Sequence, residues 1–417
     1  MEPGVTGAAA AVTKPFTPQE ARDAILGAAR PAVFLRMTDG WRAARWTLTR
    51  LCDLLKEQTL RFRIGRRKVD TEPQFETRCD YVDGTMRQFR DWLSGNSAEA
   101  SGPFSRFDRA ESWAYADYKY LALLCKDQPE MLQEVSWADF GFPGRGGRDS
   151  TLWVGSRGAN TPCHIDSYGC NLVLQVQGRK TWRLFPPEDT AYLYPTRIPY
   201  EESSVFSKVN VVDPDHRRHP AFSRARPHVV TLHPGQVLVV PRRWWHYVES
   251  VDDVTISINS WIELDSDHEA RVEEAITRMV VCAFKSAEDA GDWLNPTEDE
   301  ATSHETNLQY LNMAVGAVME HKTEDHAGDQ DQPVMKSRRK EETNRETEDH
   351  GGDHPAVSPF LVPVLPSLTN EDSGRKETQR PGDTGAITSD ELLDCLLHPQ
   401  VVTMVAQLLV NRRLGKS

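Results

Sequence analysis

The feature that most limits the fold is the texture of residues 151–263. Short apolar runs follow one another there, TLWVG, NLVLQVQ, KTWRLFPP, HVVTL, QVLVVP, WWHYVES and VTISINSW, separated by proline, glycine and polar turn residues. Runs this short, rich in β-branched and aromatic residues, with few helical periods between them, predict strands of a barrel or double-sheet jelly roll rather than βαβ units. The expected class is mainly β with α additions. A chain of 417 residues suffices for one large domain or two ordinary ones around such a core.

Residues 1–14 lack a periodic apolar pattern and are expected to be disordered, and 15–150 read as an α/β lead-in to the β core at 151–265. In that lead-in Thr17 caps and Pro18 opens a helix carrying Ala21, Ile25 and Ala28 on one face. PAVFLR then reads as a strand, and further helices are expected at 47–57, 86–93 and 118–125, before the glycine-rich GFPGRGGRDS at 141–150. In RFRIGRRK, residues 61–68, Phe62 and Ile64 alternate with Arg61 and Arg63, which predicts a strand whose arginines lie on a solvated face.

Beyond the core, 266–320 reads as a helical extension. Its DHEARVEEAITRMVVCAF repeats apolar residues at 272, 275, 276, 279, 280, 283 and 284, a stripe that packs on the barrel or on a partner helix. Residues 321–387 carry TEDHAGD and TEDHGGD among Lys, Glu, Arg, Asn and Pro, too few apolar groups to offset chain entropy, so a disordered acidic linker is expected. The closing 388–417 reads as a short amphipathic helical segment, capped by Ser389 and interrupted at Pro399, that folds back on the main domain or serves as a binding motif.

Acidic residues number 62 against 49 Lys plus Arg, and a net charge of -13 works against broad contact with phosphate backbones. The seven cysteines are scattered without a CxxC pair, which suits a reducing compartment better than a disulfide framework. The N-terminus has no basic start with an apolar run behind it, and no apolar stretch of about 18 residues occurs, so a soluble chain is expected, cytoplasmic first and nuclear second.

The chemistry centres on TPCHIDSYGC, residues 161–170. On a strand His164 and Asp166 point to the same face, the arrangement chelation needs, although a hydrogen-bonded pair at a strand end would look the same. A third ligand is available in His246, 82 residues later, because an antiparallel barrel brings distant strands together. Two histidines and a carboxylate on one face of an octahedral ion leave three positions open and favour Fe(II). Zinc would accept the same donors but has no redox chemistry and closes at four ligands.

TPCHIDSYGCN, QVQGRKTWRLFPP, the LYP at 193–195, HPGQVLVVPRRWWHYVES and ISINSW together resemble the successive blocks of the JmjC-type 2-oxoglutarate-dependent oxygenases. The likeness spans roughly residues 15–285 and lies nearest the asparaginyl and arginyl side-chain hydroxylases and the tRNA wybutosine hydroxylase. It implies a double-stranded β-helix, a cupin-like barrel, with Fe(II) held by His164, Asp166 and His246 and 2-oxoglutarate as co-substrate. Lys180 matches the lysine on the distal carboxylate and Thr161 the hydroxyl that helps it; Tyr115 matches the family tyrosine, with Tyr118 its competitor. Asn171 and Asn259 fall where family members place amides near the keto acid or dioxygen, and a satisfied structural amide is the equal alternative. ADYKY, DFGFPGR and RIPYEESSVFSK resemble a branch associated with a small heat-shock protein, which implies that partner, and family members also dimerise through helices after the barrel, making 268–284 a candidate homodimer face. One departure is SYGC between Asp166 and Asn171, one residue longer than in the hydroxylases, where a bulge would reshape or block the mouth.

Trp153, Trp182, Trp244, Trp245, Trp261 and Phe185 are read as barrel core, with Trp261 the one that reaches the pocket. Three readings follow. The first is an oxygenase acting on a protein side chain, with modified tRNA as the second substrate class. The second is an adaptor on a JmjC scaffold that modulates a small heat-shock protein without turnover. A zinc cupin with hydrolytic chemistry is the third, and it lacks a general base and a use for Lys180. Deletion of 321–417 should abolish an adaptor that uses the tail and spare a hydroxylase, and Asp166→Ala should do the reverse.

Overall fold

A computed structural model describes residues 13–68, 71–286, 290–293, 301–328, 358–367 and 387–415. The strands are β1 (Ala32–Phe34), β2 (Leu60–Arg66), β3 (Asp80–Gly84), β4 (Ser112–Tyr120), β5 (Thr151–Ser156), β6 (Asn160–Asp166), β7 (Cys170–Gln177) and β8 (Lys180–Phe185). They continue with β9 (Pro195–Thr196), β10 (Ser204–Ser207), β11 (His228–Leu232), β12 (Val237–Val240), β13 (Trp245–Ser250), β14 (Val254–Ile262) and β15 (Leu361–Pro363). The α-helices are α1 (Pro18–Leu26), α2 (Leu48–Leu55), α3 (Met86–Leu93), α4 (Ala98–Ser101), α5 (Leu121–Leu124), α6 (Asp267–Phe284), α7 (His304–Gly328), α8 (Ser389–Leu396) and α9 (Pro399–Arg413). No single helix among the described residues is long and apolar enough to cross a membrane.

Two antiparallel sheets face each other. The large one runs β15-β1-β12-β7-β14-β5-β4-β2-β3 and the small one β11-β8-β13-β6-β10-β9. The apolar runs of the large sheet serve both of its faces, since successive side chains alternate. Leu172, Leu174, Val237 and Val239 point outward into a core shared with Ala21, Ile25, Leu51 and Phe89 of the lead-in helices. Val173, Leu238 and Val240 point inward and meet Trp182, Leu184 and Val248 of the small sheet. This is the double-sheet β core that the strand pattern predicts.

The first helix forms as expected, with Thr17 and Glu20 closing a capping box, although it ends at Leu26 and leaves Ala28 beyond it. The expected helix at 118–125 shrinks to Leu121–Leu124. Tyr118, Lys119 and Tyr120 belong to β4, because pairing between β2 and β5 overrides the helical spacing of Tyr118 and Leu121, and the strand absorbs the misfit in a bulge between Ala116 and Lys119. The solvated arginine face of β2 holds for Arg61 and fails for Arg63, which is fully buried. The same face is covered farther along β2, where Trp113 lies so close over Gly65 that a Cβ there would fall 2.0 Å from its ring.

The α6 stripe packs within its own chain. Val272, Ile276 and Val281 join Val315 and Val318 of α7 and Val402, Ala406 and Val410 of α9 in one cluster, so the face expected to meet a barrel or a second copy is covered by the chain's own helices. The closing segment folds back on the main domain. Its cap is Thr388 rather than Ser389, paired with Glu391 three residues on, and Pro399 opens α9 instead of merely ending α8.

Most of 321–387, expected as a disordered linker, lies outside the described residues, as does 1–12. Within it, 358–367 is ordered, contrary to expectation. Its β15 pairs with β1 through Phe34↔Leu361, Val33↔Val362 and Ala32↔Pro363, Val364 is buried, and Pro366 bridges to His228 at the edge of the small sheet. Composition averaged over the whole linker hides this short apolar island, whose backbone is held by the open edge of β1. Deleting 321–417 therefore removes a strand and two packed helices as well as the tail.

Candidate metal centre and cofactor pocket

Between the sheets lies a cavity of about 720 Å³ that reaches His164, Asp166 and His246. These three each offer a ligand atom, all within 4.8 Å of one another. β6 supplies His164 and Asp166 on one face, and β13 sets His246 directly across from His164 in the ladder. His164 Nε2 is 3.5 Å from Asp166 Oδ1 and His246 Nε2 is 3.9 Å from Oδ2. Each imidazole turns Nδ1 to the carbonyl two residues before it, His164 to Pro162 at 2.9 Å and His246 to Trp244 at 3.0 Å. With Nδ1–H donating there, both Nε2 lone pairs face the carboxylate, the orientation a metal-binding histidine takes. Burial, with His164 beside it, pushes His246 down to about 4, so it stays neutral. Burial also presses Asp166 toward its neutral form, but the two imidazoles beside it and the N–H of Trp261 outweigh this and hold it below the usual carboxylate range. The donor set fits a divalent ion with one open face.

Lys180 opens β8 and is 2% exposed. It pairs with Ser250, four residues along β13 from His246, a separation of about 13 Å at 3.3 Å per residue. Its ammonium donates to Tyr115 Oη at 3.0 Å and Ser257 Oγ at 2.8 Å, and no carboxylate pairs with it among the described residues. Burial pushes it down to about 7, with Asp117 pulling weakly the other way. A buried cation served only by hydroxyls is suited to an anion from solution.

Thr161 reaches the same cavity through an irregularity in β6. Residues 161 and 164, three apart, would face opposite ways on a regular strand; the ladder slips between His246 and Val248, so Thr161 lies opposite Val248 and both threonine and histidine line the cavity. Pro162 sits inside the slip, where a missing N–H breaks no ladder bond. Tyr115 is hydrogen-bonded to Thr161 as well as to Lys180, and burial pushes its hydroxyl well up, so it stays protonated. Of the two competing tyrosines, Tyr115 is thus the one at the lysine. Tyr118, at φ 51° in the β4 bulge, lies against Trp153 at 4.6 Å between ring centroids.

Asn171 and Asn259 meet each other. Asn259 Nδ2 donates to Asn171 Oδ1 at 2.9 Å and its own Oδ1 accepts from Trp153 Nε1 at 2.7 Å. This chain satisfies Asn259 within the protein, whereas Asn171 lines the cavity with its amide nitrogen bonded to no described residue. One contributor was not singled out from the sequence, Ser257, which holds Lys180. Trp261, expected to reach the pocket, also donates from Nε1 to Asp166 Oδ2 at 3.0 Å. Ser257, Asn259 and Trp261 alternate along β14, and that period of two was the available signal.

The SYGC loop makes a tight turn. Gly169 at φ 63° is required there, since a Cβ would lie 2.4 Å from Ile262 O. Ser167 N donates to Ser203 O at 2.7 Å, Gly169 N to Asp267 at 2.9 Å and Tyr168 Oη to Glu202 at 2.7 Å. The turn shapes the rim of the cavity and does not fill it.

A cupin-like domain profile matches residues 18–268. The chain is 50% identical to HSPB1-associated protein 1 of Rattus norvegicus over 97% of its own length and 95% of that protein's. It is 47% identical to the HSPB1-associated protein 1 homolog of Danio rerio, over 96% and 98%. Lysine-specific demethylase 8 of Danio rerio is 27% identical over 58% of this chain and 55% of its own. With that profile over more than half the chain and those relatives along nearly all of it, the protein belongs to the cupin-like JmjC family, in the group of HSPB1-associated protein 1.

Proposed function

We propose that this protein is an Fe(II)- and 2-oxoglutarate-dependent oxygenase that hydroxylates a protein side chain and acts together with a small heat-shock protein. The observation that carries the reading is Lys180, a buried amine that no carboxylate pairs with among the described residues, in the cavity that also holds the His164–Asp166–His246 triad. Bound iron and co-substrate would supply oxidative decarboxylation of the keto acid to succinate and CO2, coupled to insertion of one oxygen atom of O2 into a substrate C–H bond. The triad would hold the metal. Lys180, Tyr115, Thr161 and Ser257 would receive the distal carboxylate, with charge-assisted hydrogen bonds of about 1.5–3 kcal/mol each to the charged groups. Asn171 has an amide nitrogen to offer, and the aromatic walls of Trp153 and Trp182 exclude water.

The heat-shock link comes from relatives named for association with HSPB1, aligned along nearly the whole chain. That same observation favours the second reading, an adaptor without turnover. Anaerobic calorimetric titration of 2-oxoglutarate into the Fe(II)-loaded full chain separates them. Binding is expected, and Lys180→Ala and Asp166→Ala should each abolish it; succinate release and an oxygen-dependent mass gain on a candidate protein then define the substrate. Absence of binding in folded, iron-loaded protein would leave the adaptor reading standing alone.

A further inference from the structure

The cavity entrance is walled by Glu201, Glu202 and Ser203, directly before β10, and by Ser204, the first residue of that strand, which pairs with the ligand strand through Ser204↔Asp166 and Phe206↔His164. This wall is held from outside the barrel. Arg197 forms a two-pronged pair with Glu274 of α6 at 2.9 and 2.6 Å and also donates to Glu201 O at 3.2 Å. Tyr200 donates to the same Glu274 at 2.8 Å, and its ring is enclosed against Trp293. The remaining anchor comes from the far end of the chain. Asp394 of α8 accepts from Thr196 Oγ1 at 3.1 Å with one oxygen and pairs with Lys208 Nζ through the other. One carboxylate thus clips both ends of the segment that carries the entrance wall.

Nothing in the barrel requires that contact. α8 lies more than 120 residues past the family profile, and Leu393 beside Asp394 is fully buried in the helical cluster, which sets the carboxylate in place. We propose that α8 is a positioning element of the cavity entrance, with Asp394 fixing the 196–208 segment against the ligand strand. The inference rests on the proposed function only in calling this opening the way in for substrate.

Asp390, one turn earlier on α8, supplies the control. It binds Lys285 at the end of α6, at 2.6 Å, and so docks the helix without touching the entrance segment. Hydrogen exchange of the full chain, without iron or co-substrate, reads the difference through segment amides such as Tyr200 N, bonded to Asp292 O at 2.6 Å. Asp394→Ala should speed exchange across 196–208 several-fold, up to about tenfold, the size of one ordinary hydrogen bond lost at a partly exposed site. Asp390→Ala should leave that segment at the wild-type rate, and Asp394→Asn, which keeps an acceptor for Thr196, should restore part of the protection. Unchanged exchange in Asp394→Ala, or equal acceleration by both alanine variants, would overturn the proposal. Should Asp394→Ala release α8 and α9 altogether, Asp394→Asn decides: acceleration confined to 196–208 supports the clip and none refutes it. Because the readout needs no cofactor, it stands or falls separately from oxygenase activity, and 2-oxoglutarate affinity at Lys180 should change less than about twofold in Asp394→Ala.

Discussion

Arg63 and Lys180 are both enclosed cations beside one cavity, yet Arg63 lies 2.7 Å from Asp117 and 3.6 Å from Glu76, whereas the hydrogen bonds of Lys180 among the described residues go only to the hydroxyls of Tyr115 and Ser257. Their ionisation diverges accordingly. Burial disfavours both charges, but at Arg63 the two carboxylates outweigh it and hold the guanidinium well above its usual value, while Lys180 falls to about 7. The first cation has its counter-charges within the protein and joins β2, β4 and the turn at Glu76 into a wall. The second is incomplete without an anion. A buried charge therefore indicates a ligand site here only when its partner is missing.

The sharpest break of this comparison is a stability measurement. Arg63→Met strands Asp117 beside Glu76 in a buried wall and should cost about 3–5 kcal/mol in chemical unfolding, whereas Lys180→Met removes an uncompensated charge and should be neutral or stabilising. Equal losses at the two sites would dissolve the distinction. Next comes proton linkage. Lys180 is largely neutral above pH 7 in the free protein and the unfolded lysine titrates near 10.4, so the unfolded state binds more protons between about pH 7 and 10.4 and this residue makes stability rise with pH across that window. An anionic ligand reverses the shift. Titration of 2-oxoglutarate near pH 8.5, in buffers of different ionisation enthalpy, should show uptake approaching one proton per ligand, falling toward zero well below pH 7. Smallest is Trp261→Phe, which deletes the donor to Asp166 and should weaken Co(II) binding about 10-fold and alter its visible spectrum while leaving Lys180 untouched. Unchanged cobalt binding would make that hydrogen bond incidental to the centre.

The strands and the triad were legible because alternation with period two survives in any half-buried strand, and His164, Asp166 and His246 need only lie on facing strands to converge. Arg63 was not, because alternation reports which residues share a face and not what covers it; the Arg63 face of β2 meets Trp113 and a pair of acids from elsewhere in the chain. Thr161 lay outside the reach of spacing for another reason. Its bulge shifts a residue by half a period, so only the family likeness pointed to it. β15 escaped since three paired residues owe their strand to the edge they join rather than to their own composition.

That edge also sets an order of events during synthesis. The last barrel strand, β14, is complete once residue 262 has emerged, but the strand that covers the open side of β1 arrives about 100 residues later. At 5–20 residues per second this is on the order of ten seconds in which a folded barrel carries an open rung of main-chain groups, the kind of surface other unfinished chains can join. The short apolar island at 358–367 ends that interval, so the sheet edge closes only shortly before the last two helices, which cover α6, are made.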